Sequence, residues 1–248
     1  MAPRDEIVGY ANELLDVARW PEFGPPGLQV VGAPEVTRIV SGVSASLELF
    51  ERAAELDAQL VLVHHGLFWR NEALVVDRRL RGRLQALFAA ELSLVAYHLA
   101  LDAHLEVGNA AQLAARLDVT VEGPFAGGVG IGGRLEAPVG IDELAARVAA
   151  VVEREPLVLG GGPRYVQRLA IATGGGGYEL IAAAHAGFDA LLTGEPEEPN
   201  AHTAKELGIH LIAAGHHATE RYGVQALGTV LADRFGVAHQ YVEVPNPV

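Results

Sequence analysis

The chain has 248 residues, 50% hydrophobic and 20% charged, which excludes a disordered polymer and leaves room for one large domain or two small lobes. A formal charge of −13 argues against a broad nucleic-acid surface, which needs clustered Lys and Arg, and leaves only a local basic pocket open. No apolar run reaches the ~18 residues that span a bilayer; Met1–Glu6 lacks a signal-peptide core, and cysteine is absent, so a cytoplasmic protein is expected, with imidazole and carboxylate as its available metal ligands.

Apolar residues at Ile7, Ala11, Leu14 and Leu15 predict a helix over 5–15, and the Pro- and Gly-rich stretch 20–27 predicts a loop. Residues 28–31 and 38–43 read as extended. Ser46 is placed to cap a helix with Leu47, Phe50 and Ala54 on one face. The aliphatic run Leu60–Val63 then predicts a buried strand that ends in His64-His65-Gly66. Ligands of open α/β sheets sit beyond strand carboxyl ends, so both imidazoles are well placed for chemistry. On an extended backbone they point to opposite sides, which favours two ions over one. A helix over 77–91 follows, with Leu80, Leu84, Leu87 and Phe88 inward and Arg78, Arg79, Arg81 and Arg83 as a basic face. Residues 92–97 form a second buried strand leading into His98, Asp102 and His104. An alanine-rich helix begins at Asn109. Alternating strands and helices over the first ~120 residues indicate a mostly parallel sheet covered on both faces.

The glycine run Gly127–Gly133 is followed by extended sequence, not a helix, so it reads as a hairpin or lobe boundary and not as a dinucleotide fingerprint. Asp142 and Glu143 open a helix to Glu153. The 166–172 strand precedes Thr173 and Gly174–Gly177, which can be either a tight packing turn or an anion nest before a helix over 178–186. Strand 190–192 feeds the acidic turn containing Glu195. Helix 199–207 carries His202, and strand 209–213 runs into Gly215-His216-His217-Ala218-Thr219-Glu220. A helix over 219–235 and a strand over 240–244 close the chain.

Metal-type residues thus follow three predicted strands: His64 and His65, then His98 and Asp102, then His216 with Glu220 four residues on. Each alone has a structural explanation as a cap or turn residue. Isolated buried charges would cost several kcal/mol, so together they point to a shared cation site of mixed imidazole and carboxylate, dinuclear in type, with Glu220 as the natural bridge.

These motifs make the chain resemble the hexameric dinuclear-metal family of GTP cyclohydrolase 1 type 2 homologues. The matching pieces are Gly27–Val30, Val63–Trp69, His98–His104, Thr173–Gly176, Thr193–Glu195, Ala214–Glu220 and Val244–Pro247. The resemblance covers essentially the whole of 1–248 as one family-length unit. It implies two α/β lobes, here about 1–123 and 124–248, with 209–248 returning to a metal site at strand ends between lobes. It implies His64, His65, Asp102, His216 and Glu220 as ligands of two divalent ions (Zn, Fe, Mn, Ni or Co) and a homo-hexamer built as a trimer of dimers. It also implies hydrolysis of a nucleotide-like or phosphorylated small molecule, of the kind that opens the GTP imidazole ring and releases formate. His98 is then either the general base or a partner that fixes a ligand. The alternative is a non-catalytic, metal-binding ring that serves a partner protein. Pro196 and Pro199 depart from the family pattern and leave the roles of Glu195 and His202 open.

Overall fold

A computed structural model describes residues 1–248. Contacts group the chain into two compact units: Met1–Leu101 with Gly223–Pro245, and Asp102–Tyr222 with Asn246–Val248. The chain passes from one to the other within the short helix Leu99–Asp102 and within the helix His216–Phe235.

The first unit holds a five-stranded sheet in the order Ala238–Tyr241, Arg38–Ser44, Leu60–His65, Ser93–Ala96, Gly27–Val30. The first four strands are parallel and the last is antiparallel. Val40, Val61, Val63 and Leu94 pack against Leu49, Phe50 and Ala53 of helix Leu47–Glu55 and Leu87 of helix Arg78–Ala89. Both helices start where side-chain oxygens can satisfy their first amides. Ser46 Oγ accepts from the Leu49 amide at 3.2 Å, and Asp77 Oδ1 accepts from the Leu80 amide at 2.7 Å.

The second unit holds a six-stranded sheet ordered Val119–Phe125, Gly130–Gly140, Tyr165–Ala172, Ala190–Thr193, His210–Ala213, Leu157–Leu159. Only the Tyr165–Ala172, Ala190–Thr193 and His210–Ala213 strands run parallel to one another. The remaining pairings are antiparallel, so this sheet is mixed. Gly127 and Gly128 at φ +67° and +100° supply the tight connection between the first two strands, and a tight hairpin can only join antiparallel neighbours. Along the central strands, Leu169 and Ile171 enter one core while Ala170 and Ala172 enter the other. That two-residue alternation buries both faces of the sheet.

Four local expectations shift. Phe88 is 62% exposed: the core contact of its helix is made by Leu80, Leu84 and Leu87, and one further residue turns 100° away. The last strand is Ala238–Tyr241 because those residues pair with Arg38–Ser41, leaving Val242 and Val244 to pack beyond the strand end. The segment after the glycine run opens as a 3₁₀ turn over Gly176–Glu179 and becomes α-helical only at Leu180. The long C-terminal helix begins at His216, not Thr219.

Candidate metal centre

In the first unit, His64 and His65 are the last residues of the Leu60–His65 strand. His64 is fully buried, and its Nδ1 lies 2.9 Å from the Tyr97 carbonyl, which can only accept. The proton is therefore on Nδ1 and the lone pair on Nε2, the form a metal requires. His65 Nδ1 lies 3.1 Å from Ser44 Oγ. Alternation along an ideal strand would separate the two rings. Instead their centroids are 4.7 Å apart, and the His98 ring stands 4.8 Å from His64 and 5.5 Å from His65. His64, His65 and His98 each bring a ring nitrogen within 4.8 Å of the others. The convergence arises at the sheet's end, where His65 pairs with Ser44 and the Gly66 turn closes against Gln29.

Glu22 belongs to this group, although it sits in the segment expected to be a plain loop. Its carboxylate is buried and accepts from the Leu99 and Ala100 amides at 3.1 and 2.8 Å, with Oε2 3.7 Å from His98 Nδ1. Burial pushes this carboxyl up, but His98 and the two amides outweigh it and hold it below the ordinary carboxylate value. The loop is pinned by Arg70, whose amide bonds the Phe23 carbonyl and whose guanidinium bonds the Glu22 carbonyl, both at 2.7 Å. A Cβ at Gly24 would stand 2.1 Å from the Phe68 carbonyl oxygen, so only glycine lets the loop approach.

In the second unit, His216 opens its helix and Glu220 follows one turn on, four residues being neighbours on a helix face. His216 Nε2 is 3.1 Å from Glu220 Oε2, and Nδ1 is 2.5 Å from Glu195 Oε1. Burial alone lowers the imidazole pKa, but Glu220 and then Glu195 overcome it and raise it to about 9. Two carboxylates around one imidazole demand a positive charge, which a proton or a metal ion can supply. Asp102 is also buried, and its Oδ1 accepts from Asn109 Nδ2 at 2.8 Å.

The glycine run resolves into packing. Gly174 has φ +58°, and a Cβ there would lie 2.1 Å from Glu220 Oε1 and 2.9 Å from His216 Nε2. Gly176 and Gly177 likewise leave no room for a side chain. The turn thus admits the Glu220 carboxylate, a contact the sequence pattern alone did not signal. His104 Nδ1 accepts from the Glu106 and Val107 amides at 3.1 and 3.2 Å, a local turn role, and His202 is exposed on its helix. Arg79 of the basic helix face is engaged by Glu72 at 3.0 Å.

The donors fit a divalent ion by their chemistry: three clustered imidazoles in one unit, with the His64 tautomer fixed by a carbonyl, an imidazole with buried carboxylates in the other, and no sulfur. Fold and residues define a mixed α/β protein with donor groups suited to metal. The Duf34/NIF3 (NGG1p interacting factor 3) family profile matches residues 2–247. The chain is 47% identical over 245 residues to a Pseudomonas aeruginosa GTP cyclohydrolase 1 type 2 homolog, covering 97% of each. It is also similar to two solved structures. The structural-genomics protein ybgI, of unknown function, superposes with a TM-score of 0.96 at 43% identity, covering 100% of both chains. TTHA1606 from Thermus thermophilus does so with a TM-score of 0.92 at 31% identity, again over 100% of both. The chain belongs to the Duf34/NIF3 family. No helix is long and apolar enough to cross a membrane.

Proposed function

We propose that the protein is a divalent-metal-dependent hydrolase with a dinuclear centre, acting on a nucleotide-like or phosphorylated small molecule. His64, His65, Asp102, His216 and Glu220 are the proposed ligands. The observation that carries the reading is the buried Glu220 carboxylate set against His216, in space that Gly174 leaves open. A carboxylate so buried is stable only with positive charge beside it, which a proton on His216 or a metal ion in its place supplies. Paired divalent ions would supply activation of water for hydrolysis near neutral pH.

The chain's own residues do the positioning. Tyr97 O fixes the His64 tautomer, Ser44 orients His65, Asn109 holds one oxygen of Asp102, and Glu195 holds Nδ1 of His216. His98 stands beside the two strand-end imidazoles, where it can transfer a proton or orient a ligand. The names of the curated relatives support GTP-type ring opening with release of formate as the first reaction to test.

The same reading places the protein in the cytoplasm as a homo-hexamer, a trimer of dimers. Supporting assembly, Leu74, Val75 and Val76 are 103, 65 and 61% exposed, an apolar stretch that a subunit contact would cover. Light scattering on the purified chain measures the oligomer directly. For the activity, protein purified without chelator is assayed for bound metal by elemental analysis, then for formate release from GTP and turnover of a phosphoester panel. Metal-dependent product that disappears with Glu220→Ala is expected. Metal-loaded protein that leaves the whole panel untouched would overturn the hydrolase reading.

A further inference from the structure

The three imidazoles of the first unit all direct the same nitrogen at the protein. His64 Nδ1 bonds Tyr97 O at 2.9 Å, His65 Nδ1 meets Ser44 Oγ at 3.1 Å, and His98 Nδ1 lies 3.7 Å from Glu22 Oε2, just beyond hydrogen-bond reach. His98 Nδ1 is buried, with no hydrogen-bond partner at closer range. The carbonyl partner of His64 places its lone pair on Nε2, the Ser44 hydroxyl is compatible with the same tautomer in His65, and the carboxylate facing His98 Nδ1 favours it there; carboxylate and carbonyl partners of this kind orient metal-binding histidines. The rings of Trp69 and Phe23, 5.2 and 5.8 Å from that of His98, limit its rotation.

Glu22 is built to hold its place. It reaches across 77 residues of sequence to cap the helix opening at Leu99, and its loop is clamped through Arg70. A helix cap needs only a neutral oxygen, and serine or asparagine caps as well as a carboxylate does. A buried carboxylate is better explained by the imidazole in front of it.

We propose that His98 is a third imidazole ligand, beside His64 and His65, for a borderline divalent ion such as Zn²⁺, Co²⁺ or Ni²⁺, and that Glu22 is the positioning residue that holds it. The inference rests on the metal reading above and sharpens it, making His98 a donor and not the proton-transfer group. Glu22 acts through His98, so its removal matters only while His98 is present.

The test is titration of metal-stripped, full-length protein with Co²⁺, following affinity and the visible d–d spectrum, in wild type, Glu22→Gln, His98→Ala and the double variant. Circular dichroism and thermal unfolding of each metal-free protein report on folding. The Leu99 and Ala100 amides bond different oxygens of Glu22, so glutamine keeps an acceptor for one of them and loses the other equally in both backgrounds. Glu22→Gln is expected to weaken Co²⁺ binding about 10- to 100-fold, as partners of ligating histidines do when replaced, and to alter the spectrum. In the His98→Ala background the same change should alter affinity by less than about twofold, because the pair acts as one unit. If Glu22→Gln also lowers metal-free stability, that comparison within the His98→Ala background still decides. Wild-type affinity and spectrum in Glu22→Gln, or losses that multiply in the double variant, would overturn this inference alone. A wild-type chain that takes up no ion would sink the metal reading with it.

Discussion

Gly174→Ala isolates one contact of the second donor group. The position sits at φ +58°, where an L-residue pays roughly 1–2 kcal/mol in backbone strain. The backbone cannot relax easily. The Gly174 amide donates to Thr219 Oγ1 at 3.1 Å, and its carbonyl accepts from the Glu195 amide at 2.8 Å and from Thr193 Oγ1 at 3.3 Å. The new methyl would fall 2.1 Å from Glu220 Oε1, so the carboxylate must swing away from its place beside His216. Strain alone predicts a melting temperature lower by about 2–8 °C, at roughly 2–4 °C per kcal/mol for a chain of this size. Displacement of Glu220 predicts a further effect, a loss of divalent-metal affinity of at least about tenfold, the lower end for disturbing a ligand's surroundings. Gly175→Ala is the control: φ there is −78°, and no atom lies within 4 Å of the added methyl. Scanning fluorimetry of the metal-free proteins and Co²⁺ titration read the two effects separately. Metal affinity equal to wild type in Gly174→Ala, or equal losses in both variants, would refute the assignment of Gly174 to making room for Glu220.

Asn109→Ala removes the 2.8 Å hydrogen bond that a buried amide donates to the buried Asp102 carboxylate; a loss of about 1–3 kcal/mol in chemical denaturation is expected. Gly228→Ala would normally favour a helix by about 1 kcal/mol. Here the methyl would lie 2.2 Å from His239 Nε2, which also pairs with Ser41 Oγ, so net destabilisation is expected, reversed when His239→Ala is added. Burial lowers the His239 pKa below its ordinary 6.5. The unfolded chain therefore takes up this proton first as pH falls, and the residue's contribution to stability, complete above about 6.5, declines from there toward its lower folded value. The denaturation midpoint of His239→Gln should fall less than that of wild type between pH 7.5 and pH 5.5, and equal declines would contradict this assignment.

The strand Leu60–His65, the capped helix after Ser46 and the hairpin around Gly127 were legible because each is dictated by neighbours in sequence: an aliphatic run, a hydroxyl before an apolar stripe, glycines before extended sequence. The pairing of His216 with Glu220 was legible for the same reason, one helical turn separating them. Glu22 was not. Its partners Leu99, Ala100 and His98 lie more than seventy residues away, and within its own Pro- and Gly-rich segment nothing distinguishes it from a solvated loop acid. The meaning of Gly174 was equally hidden, since a glycine turn that admits a carboxylate and one that cradles an anion have the same sequence.

Sequence by itself determined the residue types available for chemistry, their positions after strands, and an α/β architecture, because hydrophobic period and turn residues act over a few positions. Only the tertiary structure decided that His64, His65 and His98 converge, that each turns Nδ1 toward the protein, and that Glu22 stands behind one of them. Those facts depend on where a sheet ends and how a distant loop is clamped, which are set by packing between segments and leave no local pattern in the chain.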